Sequence, residues 1–99
     1  MPVDPVLDDE SLAAALAELP AWSMRDGGLH RVFELGDFTT AFRFMTEVAA
    51  VAERLDHHPD WSNSYGRVVL DIVSHAAAGV TARCVELAKA SDAAAARRA

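Results

Sequence analysis

Of the four histidines in this chain, three stand where they could exchange protons with one bound molecule. His57 and His58 are adjacent within Glu53-Arg54-Leu55-Asp56-His57-His58-Pro59-Asp60-Trp61, and His75 follows 17 residues after His58. Imidazole is the side chain that ordinarily titrates near neutrality, so three rings converging on one place would both give and take protons. Glu53 and His57 are four apart. If the helix persists to that point the two share a face, and the carboxylate together with the carbonyl end of the helix dipole favours a protonated His57. Histidines at a helix end can simply satisfy its last carbonyls. Glu53, His57, His58, Asp60 and His75 are also metal-ligand types, but no His-x-x-x-His spacing is present and adjacent histidines seldom reach one ion, so no metal is expected. Elsewhere, His30 reads as a surface histidine and Cys84 as a small core residue, while Trp61 either fills the core or walls a flat pocket.

The elements that must position these residues can be read in order. Asp8 or Asp9 caps a helix of about residues 9–19 carrying Leu12, Leu16 and Leu19 on one stripe, and Pro20 ends it. Trp22 to Met24 and Leu29 to Glu34 flank Asp26-Gly27-Gly28, a hairpin signal. Asp37 caps the most periodic segment, in which Phe38, Ala41, Phe42, Met45, Val48, Ala49, Ala52 and Leu55 recur at helical spacing. Phe38, Phe42 and Phe44 are expected in the core. Pro59 disfavours helix at His58, so this long helix should end at Asp56 or His57. Trp61 to Tyr65 and Arg67 to Ser74 read as strands about Gly66, the second with Val68, Leu70 and Ile72 on one face. His75 therefore sits at a strand end, followed by a loop of small residues. Thr81 caps a last helix with Cys84, Leu87 and Ala88 facing inward, and residues 93–99 are expected to fray.

The order α-β-β-α-β-β-α, with short turns joining each strand pair, predicts an α+β two-layer fold: a four-stranded antiparallel sheet with helices on one face. Ninety-nine residues suit one domain spanning 1–99. With 52% apolar and 24% charged residues the chain has the composition of a globular protein, and no apolar run nears the roughly 18 residues of a membrane span. A net charge of -6 argues against nucleic acid, whose binding rests on Lys and Arg neutralising phosphates. Met1-Pro2-Val3-Asp4-Pro5 lacks the pattern of a secretory signal, and one cysteine cannot form an internal bridge; both point to the cytoplasm. A domain this small often completes its burial by self-association, so a homodimer or homotetramer is expected.

Glu53-x-x-x-His57-His58-Pro59-x-Trp61, followed by Asn63, Tyr65, Val68, Ser74-His75, Gly79-Val80-Thr81 and Glu86-Leu87-Ala88-Lys89, resembles the pterin-4a-carbinolamine dehydratases. The likeness extends from Leu19-Pro20-x-Trp22 through Asp37-Phe38, Ala41-Phe42 and Phe44-Met45 to the last helix. It implies a hydro-lyase without metal or organic cofactor. The reaction would convert a 4a-hydroxytetrahydropterin, left by an aromatic amino acid hydroxylase, to the quinonoid dihydropterin. By the same resemblance His57, His58 and His75 are the acid-base and binding residues, Glu53 supports them, and Pro59, Trp61 and Ser74 line the pterin pocket. Ala76 stands where the family usually has Asp, Ala78-Gly79 where it has a glycine pair, and Cys84 where an acidic residue is common, although Arg83 matches. Relatives of this fold also serve as a dimerisation partner of an animal transcription factor or as assembly chaperones of a carbon-fixing enzyme, so a weakened enzyme acting as a protein-binding module is the alternative.

Overall fold

Two aspartates start two of the helices by accepting a backbone N–H three residues on: Asp8 Oδ1 from Ser11 N at 2.7 Å and Asp37 Oδ1 from Thr40 N at 2.8 Å. In the computed structural model, which describes residues 4–98, these caps open α1 (Asp9–Ala17) and α2 (Phe38–Leu55). Each capping carboxyl is held below its ordinary pKa by these hydrogen bonds from the helix terminus. Between the helices lie β1 (Ser23–Arg25) and β2 (Gly28–Glu34), joined at Asp26 and Gly27. Both turn residues have positive φ, 50° and 81°, the two-residue hairpin turn whose twist matches that of strands. β3 (Asp60–Ser64) and β4 (Arg67–Ile72) form a second hairpin, and α3 (Ala82–Ala96) closes the chain.

All pairings are antiparallel and the sheet order is β1-β2-β4-β3. The two central strands are those with the apolar alternation: Leu29 pairs with Ile72 and Phe33 with Val68, and all four are fully buried beneath the helices. The edges are polar strands, Ser23-Met24-Arg25 and Asp60-Trp61-Ser62-Asn63-Ser64, as suits strands that leave backbone groups unpaired. On the sheet face away from the helices, register partners form polar pairs: Glu34 meets Arg67 at 2.9 Å, and Asp71 meets His30 at 2.8 Å. His30 is therefore not a free surface histidine. The cross-strand pair leaves its side chain 15% exposed.

The core lies between sheet and helices, around Leu19, Trp22, Phe33, Phe44, Leu70 and Leu87. The aromatics of α2 divide differently from expectation. Phe44 is fully buried, whereas Phe38 and Phe42 stack on each other at 5.7 Å and remain 49% and 56% exposed. The inward stripe is Ala41, Phe44, Val48 and Ala52, and residues 38 and 42 belong to a neighbouring stripe of the same helix.

The alanine-rich end also departs from the expected fraying. Helix α3 runs to Ala96, with Ser91 and Ala94 buried, because Asp92 Oδ1 accepts both Trp22 Nε1 at 2.8 Å and Arg31 Nη1 at 2.5 Å and ties α3 to β2. Ala99 lies outside the described residues. Thr81 occupies the N-cap backbone position of α3, but its hydroxyl makes no capping bond.

Gly66 holds the far end of the molecule together. Its carbonyl accepts Leu35 N at 2.7 Å, and a Cβ there would fall 2.7 Å from Gly36 C and 2.8 Å from Asp37 N. Those are backbone atoms at the cap of α2 and cannot turn aside. Gly66→Ala should lower stability by about 1–3 kcal/mol, measured as a reduced denaturation midpoint. The site at the opposite end of α2, roughly 27 Å away at 1.5 Å per residue, should retain its function per folded molecule.

Candidate active site

Helix α2 ends by a local reversal that splits the histidine pair. Asp56 adopts the left-handed conformation (φ 50°, ψ 46°), and His57 N–H reaches back to Ala52 O at 3.0 Å, a bond spanning five residues. This is the Schellman closure, with Asp taking the place glycine commonly fills. Pro59 then keeps the chain extended. After such a reversal consecutive side chains leave in different directions. His57 turns inward and its Nε2 lies 3.1 Å from Cys84 Sγ on α3. His58 turns outward and its Nε2 meets Glu53 Oε1 at 2.6 Å.

Glu53 thus partners His58, and the expected Glu53–His57 pairing does not form. The expected bias toward a protonated His57 is reversed as well. Burial lowers its pKa from the ordinary 6.5, and the nearby Arg83 guanidinium adds to the effect; Asp4 opposes it, and His58 and His75 contribute slightly in the same direction as Arg83.

His75 is brought in by the turn after β4. Ser74 and Gly79 form an isolated bridge, Ser74 O accepts Ala78 N at 2.8 Å, and Ser74 Oγ accepts Ala77 N at 3.1 Å. Ala78 closes the turn with φ 61°, a conformation that costs a non-glycine residue roughly 1–2 kcal/mol. At the tip of this turn His75 Nε2 reaches Asp60 Oδ2 on β3 at 3.1 Å.

The three rings border one open cavity of about 350 Å³, lined also by Asp4, Asp56, Val73, Ser74, Ala76, Thr81 and Arg83. That volume is at the lower end for small-molecule sites. Of the residues singled out from sequence, His57, His58, His75 and Ser74 line it. Glu53 stands behind His58, Pro59 leads into β3, and Trp61 is half-buried against the core on the helix-facing side of the sheet. Sequence reasoning missed Asp4, Thr81 and Arg83. Arg83 Nε pairs with Asp4 Oδ2 at 3.1 Å, and Leu7 N bonds Val80 O at 2.9 Å, laying the amino-terminal segment along the start of α3. No local pattern around Asp4 announces that contact. Arg83 had a signal, its match to the family pattern next to Cys84. Among the described residues no group of three or more His, Cys, Asp or Glu is arranged to hold a metal ion, and no helix is long and apolar enough to cross a membrane.

The lowered pKa of His57 has a consequence for stability. Below pH 6.5 the unfolded chain takes up a proton at this position more readily than the folded chain does. Stability should therefore fall as pH drops through 6.5, level off below the folded pKa, and show no His57 contribution at higher pH. Urea midpoints measured from pH 8 to 5 should show this decline, and His57→Gln should lessen it.

The fold and site together define a small α+β protein with imidazoles gathered at one end of its sheet around a cavity of small-molecule size. The sequence matches the family model for pterin 4 alpha carbinolamine dehydratase over residues 5–94. A relative in Afipia carboxidovorans, named provisionally as a pterin-4-alpha-carbinolamine dehydratase, is 50% identical over 94 residues, covering 93% of this chain and 94% of that protein. One from Solibacter usitatus, named in the same way, is 43% identical and covers 91% of this chain and 95% of its own length. A crystal structure from Brucella melitensis, described as a transcriptional coactivator/pterin dehydratase, superposes with a TM-score of 0.87 at 38% identity, covering 91% of this chain and 98% of that one. The chain belongs to the pterin-4-alpha-carbinolamine dehydratase family and is an enzyme of the hydro-lyase class.

Proposed function

We propose that this protein dehydrates a 4a-hydroxytetrahydropterin to the quinonoid dihydropterin, with His57, His58 and His75 as the residues that bind the substrate and move its protons. The observation that carries this reading is the meeting of three imidazoles from two separate turns at one cavity, in a chain of this family. Loss of water requires the C4a–O bond to break as a proton reaches the departing hydroxyl. The N5 proton must also leave, so that the nitrogen lone pair can form the C4a=N5 double bond. An ionised carboxylate can only accept a hydrogen bond, so the Nε2 atoms of His58 and His75 donate to Glu53 and Asp60. Nδ1 is then the nitrogen of each ring free to exchange a proton with substrate. We assign proton delivery and removal to these two rings, and to the more buried His57 the orientation of the pterin. Ser74 shapes the turn that presents His75.

The test is to generate the carbinolamine freshly and follow formation of the dihydropterin with and without the protein. Acceleration above spontaneous dehydration supports the proposal, and an unchanged rate rejects it. A second reading, a protein-binding role, is favoured by one finding, the coactivator description of the Brucella structure. It would show as tight association with a large protein partner in the absence of turnover. We also infer self-association, supported by the exposed Phe38–Phe42 pair on α2; sedimentation of the purified chain as a dimer or tetramer would agree, and as a monomer would not.

A further inference from the structure

Cys84 lies behind two residues that line the cavity, His57 and Thr81, and the proposed chemistry makes no use of its thiol. The side chain is fully buried, with His57 Nε2 at 3.1 Å and Thr81 Oγ1 at 3.5 Å. Thr81 is itself 1% exposed and does not use its hydroxyl to cap α3. The three groups form a short chain, Thr81–Cys84–His57, running from the start of α3 to the rim of the cavity.

The direction of its hydrogen bonds follows from donor and acceptor strength. A neutral imidazole nitrogen bearing a lone pair is a good acceptor, whereas a thiol sulfur is a weak one. The best satisfied arrangement has the Thr81 hydroxyl donating to Sγ and the Cys84 S–H donating to His57 Nε2. The proton of the neutral ring must then sit on Nδ1.

We propose that Cys84 is a positioning residue that holds His57 in its Nδ1–H tautomer, so that this histidine meets the substrate as a hydrogen-bond donor while His58 and His75 exchange protons. The tautomer assignment rests on the Thr81–Cys84–His57 contacts and on donor and acceptor strength; its use in the reaction rests on the dehydratase reading. It also separates the three rings by chemistry: two have Nε2 against a carboxylate, and one has Nε2 against a thiol sulfur. The neutral state this requires is the one that burial and Arg83 favour. The charged and titratable groups around the ring are Arg83 and Cys84 from α3, Asp4 from the amino-terminal segment, Asp56 and His58 from the corner, and His75 from the turn.

The test is nitrogen NMR of the imidazoles of the full chain near pH 8, with His57 assigned by loss of its signals in His57→Gln. The native protein should show His57 as Nδ1–H. Cys84→Ser, whose hydroxyl also donates, should keep that form. Cys84→Ala should release the ring to the Nε2–H form that free histidine favours. Cys84→Asp should force Nε2–H and raise the apparent pKa of His57, because a carboxylate accepts where the thiol donates. With substrate, Cys84→Ala should raise KM by about five- to tenfold, the worth of one hydrogen bond, with a smaller change in kcat. An Nε2–H ring in the native protein overturns the assignment, as does an Nδ1–H ring that survives Cys84→Ala. An Nδ1–H ring in a protein that does not accelerate dehydration leaves the tautomer assignment standing and removes only the dehydratase reading.

Discussion

Replacing His58 or His75 with alanine should reduce carbinolamine dehydration by about 10²–10⁴-fold, the usual worth of one positioned acid or base, while leaving the folded structure intact. The two side chains are 56% and 75% exposed, and each makes its hydrogen bond to an exposed carboxylate, so neither supports the core. The loss should appear in kcat, since the missing group acts as bonds change and contributes little to holding the ground state. Removing the carboxylate partners should be milder. Glu53→Gln and Asp60→Asn leave the rings in place but free to rotate, so a loss well below that of the alanine variants is expected. The measurement is the initial rate of dihydropterin formation with the spontaneous reaction subtracted, together with a thermal melt to show that the fold persists. Unchanged rates in both alanine variants would remove the proposed division of roles.

The largest effect on stability should come from Phe44→Ala, with an expected cost of about 3–5 kcal/mol. Phe44 is fully buried, and its ring lies 4.6 Å from that of Phe33, which in turn meets Trp22 edge-on at 5.9 Å and carries the Arg31 guanidinium 4.1 Å above it. Deleting Phe44 would open a void where α2 crosses the two central strands, and the surrounding rings are fixed by one another and cannot collapse into it. Against a total stability of about 5–15 kcal/mol for an ordinary domain, this is a large fraction. Urea denaturation should show a much lower midpoint with a similar slope. Phe42→Ala is the control from the same helix. At 56% exposure, the residue should lose less than about 1 kcal/mol when truncated in an isolated chain. A cost approaching that of Phe44→Ala would show that this face is covered in solution.

Much of the architecture was legible in the residues because its signals act over short range. Asp8 and Asp37 are caps that need only the following three residues, and Pro59 limits its immediate neighbour. Asp26-Gly27 supplies the positive φ angles its hairpin turn demands, and the alternation of Val68, Leu70 and Ile72 sets one face of β4 wherever that strand lies. Each depends on backbone geometry within about one turn of helix or a few residues of strand, which sequence states directly. The histidine motif was legible for a different reason, its likeness to a family, which spacing alone does not provide.

Tertiary structure decided which groups meet. Sequence spacing paired Glu53 with His57, but the left-handed Asp56 turns the chain so that Glu53 meets His58, while His57 finds Cys84, 27 residues away, and His75 finds Asp60, 15 residues back. The same holds for Phe38 and Phe42, whose helical spacing fits a core face as well as a solvent face until the sheet shows which stripe it covers. It holds also for the alanine-rich end of α3, kept helical by Asp92 and its two distant donors. The direction of a side chain depends on a reversal of one or two residues and on the surface that arrives to meet it. The chain therefore determines the elements and the residue types at the site, and only the assembled fold determines which partner each imidazole meets.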